Sequence, residues 1–242
     1  MSSSSDELDD RALDVVLEVE EQLESNPLAA LDIAEHAPPE SAAHPEVQLA
    51  RARALVAAKG AAAARSWLAA LAEREPDFAE ARHLYAQVLE ELGEHPASVQ
   101  EMLEVRRLDA ASDERDGFEL TAVEGPIVAT AEKILGELPD RFKTLLAGVP
   151  VLVEDRPSED LVREGFDPRS LGLFSGPNHG ERTGPGLGAA PTRIVLYAAN
   201  LAAFADPNDP EELEGEVEIT LLHEIGHYFG LDEDQLEALG LA

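Results

Sequence analysis

The segment DPEELEGEVEITLLHEIGHYFGLDEDQL, residues 209–236, decides how the second half of the chain folds. Asp209 is a strong N-cap, Pro210 suits the first helical position, and Glu211 and Glu212 complement the positive end of a helix dipole. Leu213, Val217, Leu221 and Ile225 recur every four residues and draw an apolar stripe that would pack on a sheet. Gly230 follows the last turn as a natural stop. These signals predict one amphipathic helix that starts at Pro210 and ends just before Gly230, with a crowd of acidic residues after it.

Chemistry is concentrated at the end of that helix. His223 and His227 lie four residues apart, one above the other on a single face, so both can direct an imidazole nitrogen at one ion. Glu224 sits one position round, where it can reach a water beside such an ion but not join the ligand pair. Two histidines holding Zn²⁺ and a glutamate acting as general base is the arrangement of His-Glu-x-x-His hydrolases. The chain has no cysteine, so any metal here must be held by nitrogen and oxygen.

A third protein ligand is expected among Asp232, Glu233, Asp234 and Glu237. Glu233, ten residues after His223, occupies the third-ligand position of extended motifs in which a glycine follows the second histidine. Asp232 is the close alternative, and His179 a distant one. The plainer reading of the same residues is two histidines on a solvated acidic helix. A methionine turn after the motif is excluded, since the methionines are Met1 and Met102. Only fifteen residues follow His227, so a third ligand on a distant helix is not expected and the site should be compact.

Before this helix, VPVLVED (149–155), LGLFSG (171–176) and RIVLYA (193–198) read as strands. GPIVATAEKILGELP (125–139) and Arg141–Ala147 read as helices. Strand 193–198 is a candidate edge for an extended peptide to pair with. Tyr197 or Tyr228 could steady an oxyanion, although packing is the commoner role for such aromatics. GPNHGERTGPGLGAAP (176–191) holds five glycines and three prolines, and a loop of this length is usually functional. It precedes a strand rather than opening a helix, which excludes a dinucleotide-binding fingerprint.

The first half has a different texture. Residues 11–109 are rich in Ala, Leu, Glu and Arg, with breaks at Asn26-Pro27, Gly60 and Gly93. The breaks lie 34 and 33 residues apart, the period of helix–turn–helix repeats that bury their faces only by stacking on one another. Helix pairs are expected at 11–24 with 27–36, 47–59 with 61–74, and 78–92 with 96–107. The last unit, residues 76–110, is closest to a tetratricopeptide pattern through Leu84, Tyr85, Leu89 and Leu92-Gly93. ASDERDG (111–117) reads as a linker.

Eighteen basic residues against fifty acidic ones give a formal charge of −32, which disfavours nucleic acid or an anionic membrane as partner. The amino terminus is acidic and lacks a signal-peptide core, and no apolar run is long enough to span a bilayer, so a cytoplasmic location is expected.

From about residue 127 to 240 the chain resembles the mini-zincin family of zinc metallopeptidases. The resemblance is carried by LPDRFKTLLAGVPVLVEDRPSEDL (138–161), GLFSG (172–176), RIVLYAANL (193–201) as a strand, and HEIGHYFGLDED (223–234). It implies a short mixed β-sheet packed on an active-site helix, zinc on His223, His227 and an acidic residue at 232–233, and Glu224 as general base. Its long glycine-rich loop and the preceding helices depart from the family domain. The expected architecture is α+β, with tetratricopeptide-like helical repeats over 8–110 and a minimal zincin domain over 118–242. The expected activity is peptide-bond hydrolysis by a zinc-bound water, on a protein or peptide substrate that is more basic than acidic. The repeats would recruit a protein partner. The alternative is an interaction adaptor whose zinc site is structural or vestigial.

Overall fold

The computed structural model of the chain describes residues 3–180, 192–205 and 209–241. It divides into two units, Met1–Ser112 with Glu159–Gly165, and Asp113–Ser158 with Phe166–Ala242.

The first unit is helical. Helices α1 (Ser3–Leu23), α2 (Pro27–Glu35), α3 (Pro45–Lys59), α4 (Ala61–Arg74), α5 (Ala79–Glu91) and α6 (His95–Asp116) follow one another with short breaks. Asn26 caps α2 by accepting from the Ala29 amide, and Pro27 takes the first helical position. Each of α1 to α4 packs on the next, and α3 also packs on α1 and α5. The α1–α4 seam is small and apolar, with Val19, Ala30, Ala52, Ala54, Ala64 and Leu68 at most 0% exposed. Helix α6 meets α5 where the Ser98 hydroxyl donates to the Ala86 carbonyl at 2.9 Å.

The break expected over 111–117 is shorter than the sequence suggests, because α6 runs on to Asp116. Ala111, Glu114 and Arg115 are good helix formers, and only Gly117 ends the run. Asp113 is fixed by an ion pair with Arg156, whose side chain is 4% exposed.

The second unit holds α7 (Leu120–Glu137), α8 (Asp140–Leu146), β1 (Val151–Glu154), β2 (Gly172–Ser175), β3 (Arg193–Tyr197), α10 (Ala198–Phe204), α11 (Pro210–Tyr228) and α12 (Glu233–Glu237). The short helix α9 (Glu159–Arg163) belongs to the first unit. The sheet order is β1-β3-β2, with β1 parallel and β2 antiparallel to β3. Strand β3 is therefore central and paired on both sides, which overturns its reading as an edge open to a peptide. The strand expected over 193–201 also stops at Tyr197 and turns into α10. Asn200 lies inside that helix, buried, and its amide donates to the carbonyls of Pro168 and Ser170 just before β2.

One face of the sheet carries Val151, Val153, Phe174, Ile194 and Leu196, and packs on Ile127, Ala131 and Ile134 of α7 and Val217, Leu221 and Ile225 of α11. The stripe read from the sequence is thus the buried side of α11. Burying each such aliphatic side chain contributes roughly 1.5–3 kcal/mol. Among the described residues no helix is long and apolar enough to cross a membrane.

Candidate metal centre

Helix α11 starts and stops where its sequence dictates. The Asp209 carboxylate accepts from the Glu211 amide at 3.0 Å, and Gly230, at φ +86°, turns the chain back. The turn delivers Leu231 and Asp232 to the start of α12. Asp232 caps α12, accepting from the Gln235 amide while the Gln235 side chain accepts from the Asp232 amide, each at 3.0 Å. That reciprocal pair engages Asp232 and leaves Glu233, in the first turn of α12, facing the two imidazoles.

His223, His227 and Glu233 form the one group of three metal-ligating side chains found among the described residues, with ligand atoms within 4.8 Å of one another. The two Nε2 atoms are 2.9 Å apart, and the Glu233 oxygens lie 3.3 Å from His227 Nε2 and 3.7 Å from His223 Nε2. Bonds of about 2.0–2.1 Å in tetrahedral geometry set ligand atoms about 3.3–3.4 Å apart, so the three fit a zinc ion. Tautomers fit as well. His223 Nδ1 lies 2.6 Å from the Leu241 carbonyl and His227 Nδ1 lies 3.1 Å from the Leu231 carbonyl. A carbonyl only accepts, so each Nδ1 carries a proton, and in a neutral ring each Nε2 then presents a lone pair. Two neutral imidazoles in that state cannot hydrogen-bond across 2.9 Å; a cation between them would resolve the contact. Three such ligands on a tetrahedral ion would leave a fourth position open.

Glu224 lies beside this group and is 6% exposed. Burial pushes its carboxyl above the ordinary value, while His223, His227 and the Phe174 amide partly offset the rise. The amide is supplied by the outer side of β2. Leu171 accepts from the Tyr197 amide, so the alternate residues Gly172 and Phe174 turn their polar groups away from β3.

Two glycines that sequence reading did not single out bring these parts together. A Cβ on Gly172 would lie 2.8 Å from Thr220 Cγ2 and 2.9 Å from Glu224 Oε1, so only glycine lets β2 lie against α11 at this level. A Cβ on Gly226 would lie 2.4 Å from Leu236 Cδ2, so the bare backbone there is what admits α12. An isolated glycine inside an amphipathic helix was the available signal, since it costs about 1 kcal/mol against alanine without a packing reason.

Other candidates lie elsewhere. Asp234 and Glu237 are outside the group of three. His179 packs against Tyr228 and Phe229, with ring centroids 5.7 and 5.9 Å away, and its amide donates to the Tyr228 carbonyl. Tyr228 donates its hydroxyl to the Leu145 carbonyl at 2.8 Å. Tyr197 is fully buried, and burial, with Glu154 nearby, pushes its phenol up to about 12. Residues 181–191, most of the glycine-rich loop, lie outside the described residues.

No curated protein matches the chain. Residues 146–241, which run from the end of α8 through the sheet and both helices of the site, match the family model described as "Zincin-like metallopeptidase".

Proposed function

We propose that the C-terminal segment is a zinc-dependent peptidase, with His223, His227 and Glu233 holding the metal and Glu224 acting as general base. The observation that carries this reading is a buried carboxylate beside a three-ligand N, N, O set: a purely structural site has four protein ligands and no need of a base. When bound, zinc supplies a Lewis acid that makes water nucleophilic at neutral pH and polarises a carbonyl. Glu224 takes the proton from the attacking water and delivers it to the leaving amine, roles served by a carboxyl whose affinity for protons is raised. Glu233 and the two imidazoles hold their positions throughout. A peptide that adds to the sheet would use the outer side of β2 through polar groups other than the Phe174 amide, which Glu224 accepts from. The helix pairs of α1 to α6 serve as a tetratricopeptide-like module that recruits a protein.

Zinc content and cleavage of a diverse peptide library, measured for wild type and Glu224→Gln, test the reading. The variant is expected to keep the metal and to lose turnover by about 10²–10⁴-fold. Wild type that holds zinc and cleaves nothing would overturn the peptidase reading in favour of an adaptor. A chain that holds no zinc when supplied with it would overturn the metal site itself.

A further inference from the structure

Two Gly-Leu pairs, Gly230-Leu231 and Gly240-Leu241, end the last two helices in the same way. At the end of α11 the Leu231 amide donates to the Gly226 carbonyl and the Gly230 amide to the His227 carbonyl; at the end of α12 the Leu241 amide donates to the Leu236 carbonyl and the Gly240 amide to the Glu237 carbonyl. Each is the double bond of a Schellman turn, with a left-handed glycine at φ +86° and +73° respectively. In both turns the leucine carbonyl then receives an imidazole Nδ1–H: Leu231 that of His227, and Leu241 that of His223.

We infer that Gly240-Leu241 is a positioning element of the metal centre: its left-handed turn holds the Leu241 carbonyl on His223 and so fixes which nitrogen of that imidazole faces the ion. The inference rests on the reading of His223 and His227 as metal ligands. Leu241 is eighteen residues from His223, so nothing local in the helix sets this contact. Without an acceptor at Nδ1, a neutral imidazole is free to carry its proton on Nε2, the nitrogen that has to be bare to bind a cation. A Cβ on Gly240 would meet nothing within 4 Å, so a substitution there acts through backbone conformation alone. Alanine resists the left-handed region, and asparagine tolerates it.

Gly240→Ala and Gly240→Asn in the full chain test this. The readouts are imidazole ¹⁵N shifts of the metal-free protein and zinc affinity by chelator competition. In Gly240→Ala, His223 is expected to lose its pure Nδ1–H state while His227 keeps it, and zinc affinity is expected to fall by about 10–100-fold. Gly240→Asn should restore both. A Gly240→Ala chain that retains the His223 tautomer, or that loses it with unchanged zinc affinity, overturns the inference. If wild type binds no zinc, the metal reading of the site fails, and the tautomer of His223 in the metal-free variant still decides whether the turn holds the ring.

Discussion

As the proposed general base, Glu224 has to satisfy two demands that oppose each other. A base next to a cation works best when water is excluded, yet a buried carboxylate loses its solvation. The Phe174 amide and the two imidazoles relieve part of that cost, and Gly172 makes the arrangement possible by letting the strand approach. Gly172→Ala would place a methyl 2.9 Å from Glu224 Oε1 and 2.8 Å from Thr220 Cγ2, so one side chain has to move. A displaced general base costs rate without touching the ligands. Turnover is therefore expected to fall by about 100-fold while zinc affinity stays within about twofold. Unchanged turnover, or loss of zinc, would show that Gly172 does not act through Glu224.

Helix α12 has five residues, too few for any periodic pattern, and its register decides whether Asp232 or Glu233 meets the imidazoles. The sequence could not choose between them, because neighbouring carboxylates differ only in which one the cap consumes. The structure gives the cap to Asp232 and anchors the helix by Leu236, which is fully buried. Glu233→Ala is expected to abolish tight zinc binding. Asp232→Ala should cost about 1 kcal/mol of cap stability and lower zinc affinity less than Glu233→Ala does. Gly226→Ala should also weaken zinc binding, since the new methyl drives Leu236 and its helix outward. Chelator competition on the three variants checks the order, and a larger loss for Asp232→Ala would reverse the assignment. Elsewhere the same boundary between local and tertiary information holds. Helix α11 was legible because cap, stripe and stop all agree over nineteen residues. The start of α10, residues 198–201, reads as a continuation of strand because AANL is a short apolar run that both states accommodate. The central place of β3 was hidden because strand order depends on which edges pair, and no residue of RIVLY encodes its neighbours.

At the scale of the whole molecule, the charge of −32 becomes more specific once the cations are located. Eight of the nine basic residues in 1–112 are arginines that lie within 4.0 Å of a carboxylate: Arg11, Arg51, Arg53, Arg65, Arg74, Arg82, Arg106 and Arg107. Most of these pairs are exposed and contribute little stability, about 0–1 kcal/mol each. Their larger consequence is that the positive charge is spent internally, so what the unit presents to a partner is carboxylate. Near the site, beside the proposed zinc ligand Glu233, Asp232 and Asp234 are exposed. Such a field raises the local concentration of basic segments and repels acidic ones, over a Debye length of about 10 Å at 0.1 M salt and about 3 Å at 1 M. Peptides flanked by Lys and Arg are therefore expected to be cleaved with higher kcat/KM than the same peptides flanked by Asp and Glu. The preference should arise mainly in KM and should collapse between 0.1 and 1 M salt. A preference for acidic flanks, or a basic preference that salt leaves intact, would show that specificity comes from pockets in the site and not from the charge of the chain.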